Sequence, residues 1–241
     1  MMSNTKDITT DNLKIKVLVY GDSGTGKTTF ISTFPKPYIF DFDNGLLSIR
    51  GKDVDYDVYY DEDVRHPSAY SSFEKKIDEF FKECEYETIG IDSLTTLQRA
   101  LMNEVQYVNQ KHIGKNMTRE EWGIVIGRLE RLFYKLVHAP CNLVVTAHEI
   151  VTEDPITGEI TNRPLVYGQK LPGMIPLWFG EVYRAQIEYD KERKRVYRVL
   201  TAATRRYTAK SRIRCFSELE VPDYEVLMRK IEEGSDGKSK G

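Results

Sequence analysis

One feature constrains this chain above all others: the run Gly21-Asp-Ser-Gly-Thr-Gly26-Lys27-Thr28 directly follows the apolar stretch Lys14–Tyr20 (KIKVLVY). It satisfies the pattern G-x-x-x-x-G-K-[ST], in which glycines let backbone N–H groups approach an anion closely where a helix begins. Lys27 supplies a point charge for β and γ phosphates, and the Thr28 hydroxyl is a hard oxygen suited to Mg²⁺. The expected binding segment is therefore Gly21, Asp22, Ser23, Gly24, Thr25, Gly26, Lys27, Thr28 and the following Thr29, with ATP and Mg²⁺ as the expected ligands. A glycine turn without a ligand is the alternative, and the strand leading into the loop argues against it.

A phosphate loop needs a strand entering and a helix leaving, which points to an α/β fold. Pro37–Phe42 (PYIFDF), Thr88–Ile91 and Asn142–Thr146 (NLVVT) read as further buried strands. Helices are expected at Ser68–Cys84, at Thr95–Lys111 behind a Thr95-x-x-Gln98 capping box, and at Thr118–His138 behind Thr118-x-x-Glu121. Trp122, Val125, Ile126, Leu129, Leu132, Phe133 and Leu136 recur at helical spacing and are expected in the core. Thr152–Arg163 reads as a hairpin or mobile loop around Pro155-Ile-Thr-Gly158. Glu181–Tyr189 and Arg195–Ala202 read as a late antiparallel hairpin through the charged turn Lys191–Lys194. The expected architecture is a mainly parallel central sheet flanked by helices, ending in that hairpin. One domain is expected over residues 13–233, with a flexible start at 1–12 and a disordered tail at 234–241.

Composition narrows the classes. No run approaches a membrane span, and the polar start Met1–Asn12 lacks the apolar stretch of a signal peptide, so a cytoplasmic protein without a membrane partner is expected. Cys84, Cys141 and Cys215 are odd in number, far apart and outside any C-x-x-C arrangement, which indicates neither a disulfide framework nor a zinc site. The net charge of −2 conceals an asymmetry: Lys191–Arg214 holds ten basic residues and one acidic, or +9, leaving −11 elsewhere. Such a stretch suggests a surface that meets phosphate, against the alternative of a solvated face.

In open parallel sheets ligands sit beyond the carboxyl ends of the strands, which is where Gly21, Asp43, Asp92 and His148 fall. Asp92 ends a strand at the place where phosphate-loop proteins hold the magnesium shell; the bland reading is a helix cap, and the two roles are compatible. Asp41 and Asp43 end the second strand; one of them is a candidate general base, and turn formation by Asp43-Asn-Gly45 is an equal alternative. His148 is a candidate γ-phosphate sensor or simply a hydrogen-bonded histidine at a strand end.

The order GDSGTGKTT, IFDFDNGL, IGIDSLTTL and LVVTAHE closely resembles the bacteriophage P-loop ATPases (AAA/RecA-like) that include short RecA-like single-strand annealing proteins. The resemblance spans nearly all of Lys14–Arg214 and implies a RecA-like core. It puts the general base on Asp43, the Walker B carboxylate on Asp92 and the polar sensor on His148, where RecA carries glutamine. It also likens Lys210-Ser-Arg212 to the Lys-x-Arg finger that hexameric RecA-like helicases insert into a neighbour's active site.

RecA's N-terminal polymerisation domain and C-terminal domain are not expected here, and its DNA-binding loops have no clear sequence counterpart, Glu149–Ile175 occupying the corresponding place, so filament formation and strand exchange are not implied. What it implies is an ATPase of phage DNA recombination or replication, in the bacterial host cytoplasm, that binds single-stranded DNA, promotes annealing and self-associates as a homo-oligomer. A single-stranded DNA-binding protein is a further expected partner. The alternatives are a nucleotide-regulated DNA-binding module with little hydrolysis and, less favoured, a small-molecule kinase sharing the loop.

Overall fold

The apolar stretch before the glycine loop becomes an inner strand of a nine-stranded sheet in the computed structural model, which describes residues 13–63, 65–82, 85–108 and 113–236. Strand β1 (Lys16–Tyr20) lies between β5 (Asn142–Ala147) and β8 (Glu181–Tyr189), parallel to both. Beyond β5 come β4 (Thr88–Asp92), β2 (Pro37–Asp41) and β3 (Asp55–Val58), all parallel. Strands β2, β4 and β5 are buried along their whole length, which is why they read as unbroken apolar runs rather than alternating ones.

Side-chain alternation divides β1 between two cores. Leu18 and Tyr20 join the cluster under α2 (Ala69–Phe80), α3 (Leu94–Val108) and α4 (Arg119–Val137), which carries Phe73, Leu97 and Leu129. Val17 and Val19 face the opposite cluster with Phe30 and Ile31 of α1 (Lys27–Ile31) and Leu227 and Ile231 of α6 (Tyr224–Asp236). Gly90 in β4 lets α1 approach closely: a Cβ there would sit 2.6 Å from Ile31 Cγ2. The helix that follows the glycine loop is thereby seated directly on the strand that carries Asp92.

The late hairpin forms as expected, with β8 antiparallel to β9 (Arg195–Leu200). Two short strands complete the sheet: β11 (Leu219–Glu220) pairs with β9, and β10 (Lys210–Ser211) with the first residues of β8. The segment expected as a hairpin or mobile loop is a hairpin, β6 (Glu149–Glu153) with β7 (Ile160–Pro164). A short helix, α5 (Leu171–Trp178), follows it.

Two expectations about helix ends resolve differently. The Thr118/Glu121 capping box forms, both reciprocal bonds present. The Thr95/Gln98 box does not: α3 begins one residue earlier, at Leu94. Thr95 Oγ1 instead donates to Leu165 O and accepts from His148 N, while the Gln98 amide exchanges hydrogen bonds with Tyr167 N and Tyr167 O. Tertiary partners outcompete the local cap because the chain after β5 folds back over α3. At the carboxyl end α6 runs to Asp236, past the expected boundary at 234; the expected flexible start at 1–12, the rest of the tail at 237–241, Cys84 and Lys111 lie outside the described residues. Among the described residues, no helix is long and apolar enough to cross a membrane.

Candidate functional site

The carboxyl ends of β1, β2, β4 and β5 open onto one cleft of about 1180 Å³. Its floor is the glycine loop. Gly24 (φ 77°) and Gly26 (φ 86°) hold left-handed conformations that side-chain-bearing residues rarely adopt. Thr25 Oγ1 donates to Asp22 O at 2.8 Å, tying the loop to itself. Ser23, Gly24, Gly26, Lys27, Thr28 and Thr29 line the cleft, while Gly21, Asp22 and Thr25 shape the loop behind them.

Lys27 is 8% exposed, and its ammonium donates to Gly21 O (2.9 Å) and Asp22 O (2.8 Å). Burial lowers its pKa, opposed by the carboxylates of Asp92, Asp43, Asp22 and Glu149. A cation kept this dry by surrounding carbonyls and carboxylates is placed to meet a polyanion.

Thr28 Oγ1 donates to Asp92 Oδ2 at 2.6 Å, and Thr146 donates to Asp92 Oδ1. Asp92 is 3% exposed, and burial raises its pKa against the lowering effect of those two hydroxyls. Both Asp92 side-chain oxygens face hydroxyls of the loop and of β5, Thr28 and Thr146. A hydroxyl and a carboxylate side by side at the loop are hard oxygen donors that fit a magnesium ion; Thr28 and Asp92 would hold it. A magnesium ion held by these two residues would supply charge neutralisation for the phosphates of a nucleoside triphosphate.

The two carboxylates after β2 separate by role. Asp41 is 1% exposed and its Oδ1 accepts from Asp43 N (3.0 Å) and Gly45 N (3.5 Å), so it builds the turn. Asp43 faces the cleft, where its Oδ2 lies 3.0 Å from His148 Nε2 and its Oδ1 accepts from Ser93 Oγ (3.1 Å) and from Thr96 Oγ1. Burial pushes the Asp43 carboxyl up, but the hydrogen bonds from His148, Thr96 and Ser93 outweigh it and hold its pKa below the usual value. His148, with Thr95 Oγ1 accepting from its backbone N–H, thus meets the candidate base from the far side of β4.

Lys210 and Arg212 stand apart. Strand β10 pairs with Glu181–Val182, the amino end of β8, whereas the glycine loop leaves the carboxyl end of β1. Neither side chain lines this chain's own cleft. The residues that sequence reasoning missed are Thr146, Ser93 and Thr96, which orient the two carboxylates, and Arg195, Tyr197 and Arg198 of β9, which form a wall of the cleft. A threonine at the end of the apolar run NLVVT was the available signal for Thr146. The strand β9 was legible as half of the late hairpin, but nothing local places it at the cleft, because that position depends on β8 lying beside β1.

A doubly covered, mainly parallel sheet with a glycine loop, a lysine, and a threonine hydrogen-bonded to a strand-end aspartate defines a P-loop ATPase. The family model described as "AAA domain" matches residues 13–213, and the chain belongs to that family. No curated protein matches the sequence. Among solved structures the chain is similar to a prototypical ATPase from the type III secretion system of pathogenic bacteria, at 12% identity and a TM-score of 0.46, over 76% of this chain and 55% of that one. It is also similar to the flagellar accessory protein FlaH from Methanocaldococcus jannaschii, at 10% identity and a TM-score of 0.42, over 85% of this chain and 83% of that one.

Proposed function

We propose that this AAA-domain ATPase binds ATP with Mg²⁺ and uses Asp43 to activate the attacking water, in the service of single-stranded DNA annealing during phage recombination or replication. The observation that carries the catalytic part is the convergence of Lys27, Thr28, Asp92 and Asp43 on one cleft from separate strands. Lys27 and the loop N–H groups orient the phosphates, and Asp43 takes a proton from water as the water oxygen bonds the γ phosphorus and the bond to the β–γ bridging oxygen breaks, releasing ADP. His148 holds Asp43 in place and stands where a terminal phosphate is sensed.

The DNA part rests on the family resemblance and the basic stretch Lys191–Arg214. That stretch does not form one surface. Arg195 and Arg198 line the cleft, Arg205 pairs with Glu159, Arg206 bonds Asn162, and Lys191 and Arg193 sit on the exposed hairpin turn. Self-association follows from the same resemblance: Lys210 or Arg212, remote from the chain's own cleft, would complete a neighbour's. A single-stranded DNA-binding protein and the bacterial cytoplasm complete this reading.

A specific observation favours a second reading, a nucleotide-switched DNA-binding module with little turnover: three hydrogen-bonding side chains surround Asp43, and a carboxylate held below its usual pKa is a weak base. ATP hydrolysis measured with and without single-stranded DNA, over a wide range of protein concentration, separates them. DNA-stimulated turnover that rises with concentration and is lost in Arg212→Ala supports the leading reading. ATP binding without turnover supports the second.

A further inference from the structure

The hydrolytic groups make up only part of the cleft's lining. A triphosphate anchored on Lys27, with its terminal phosphate toward Asp92 and Asp43, leads its nucleoside away from them. The same lining includes Tyr197 of β9 and the Val221–Pro222–Asp223 segment that precedes α6. Tyr197 is 41% exposed and Val221 39% exposed, an aromatic ring and an aliphatic side chain that both line the cleft. The ring also lies directly on the loop: a Cβ on Gly26 would meet Tyr197 Cδ1 at 3.1 Å.

The Val221–Pro222–Asp223 segment is tied to the phosphate cradle. Tyr224 N donates to Thr33 Oγ1 (3.0 Å), joining the start of α6 to the turn after α1. Asp223 Oδ1 accepts from Val226 N (3.2 Å), capping α6.

We propose that Tyr197 is the residue on which the nucleobase stacks, with Val221 and Pro222 forming the rest of the base compartment; this rests on the cleft being a nucleoside triphosphate site. Stacking uses the π face that every base presents, so the contact favours nucleotides over bare polyphosphate and discriminates little between bases. It also gives part of the basic stretch a local purpose, since the strand carrying Arg195 and Arg198 is the one that delivers this ring.

The test is calorimetric titration of wild type, Tyr197→Ala, Tyr197→Phe and Lys27→Ala with ATP, GTP and inorganic tripolyphosphate, each with Mg²⁺. Tyr197→Ala should weaken ATP and GTP about 5- to 150-fold, corresponding to ~1–3 kcal/mol for one base on one ring. Tripolyphosphate affinity should stay within about twofold, and Tyr197→Phe should bind ATP like wild type, because the ring and not the hydroxyl carries the contact. Equal losses for ATP and tripolyphosphate would show that Tyr197 merely props Gly26, and no loss would place the base elsewhere; either overturns the base assignment alone. Wild type that binds none of the three, or Lys27→Ala that binds all as well as wild type, overturns the phosphate site and the base assignment with it.

Discussion

His148 Nε2 lies 3.0 Å from Asp43 Oδ2, joining the ends of β5 and β2, which are separated in the sheet by β4. Asp43 is thus presented to the cleft by a contact from two strands away. If it accepts the water proton, Asp43→Asn lowers kcat by ~10²–10⁴-fold, the usual worth of a general base, and leaves ATP affinity nearly unchanged. Parallel measurement of turnover and ATP binding checks this, and a variant with wild-type turnover removes Asp43 from the chemistry.

The same environment predicts a pH shift. Burial raises the Asp43 pKa, and hydrogen bonds from His148, Thr96 and Ser93 more than reverse it. Thr96→Val removes one of those donors, so the pKa rises and the acidic limb of the rate profile moves to higher pH. For stability the sign follows: a carboxyl with a depressed folded pKa stabilises the protein above its unfolded value and loses that contribution as pH falls through the folded one. The variant's stability deficit should therefore be largest at neutral pH and shrink in acid. An unmoved rate limb would show that another group titrates.

Asp92 behaves in the opposite sense. Burial raises its pKa despite the Thr28 and Thr146 hydroxyls, so its charged form is costly to the fold at neutral pH. A carboxyl with a raised folded pKa contributes most stability below its unfolded value and loses it as pH rises through the folded one. Asp92→Asn keeps the shape and can still bond both hydroxyls. It should raise Tm at neutral pH by about 2–4 °C, equivalent to ~1 kcal/mol in a chain of this size, and abolish hydrolysis. The gain should vanish in acid. Thermal melts across pH check it, and a lowered Tm at neutral pH would mean that the carboxylate is stabilised where it sits.

Gln98 carries a structural prediction. It is fully buried and exchanges two hydrogen bonds with the Tyr167 backbone. Gln98→Ala strands a buried N–H and C=O, each worth ~1–3 kcal/mol when unsatisfied. Denaturant unfolding should show a loss of about 2–5 kcal/mol, far above the ~1 kcal/mol of a lost helix cap. A loss at the cap level would mean that water reaches the Tyr167 backbone.

The contrast between Gln98 and Glu121 shows what was legible in the sequence. Both follow a threonine at capping-box spacing, and only Glu121 caps, because residues 165–167 fold back over α3 and claim Thr95 and Gln98. Local patterns located the buried strands, the glycine loop, Asp92 and the late hairpin, since each is written in consecutive residues. Cross-strand relations were not written there. That Thr146 would orient Asp92 depends on the β4–β5 register, in which Ile91 lies opposite Val145. That Tyr197 would lie on Gly26 depends on β9 joining the sheet beyond β8. The basic stretch read as one surface divides between cleft, hairpin turn and β10 for the same reason.

Steady-state ATP hydrolysis by the wild-type protein beside Lys27→Ala and Asp92→Asn tests the central claim most directly. The account predicts turnover in wild type and background rates in both variants, with Asp92→Asn still folded and at least as stable. Equal phosphate release by all three proteins would contradict it, because hydrolysis would then be independent of the Lys27–Thr28–Asp92 site.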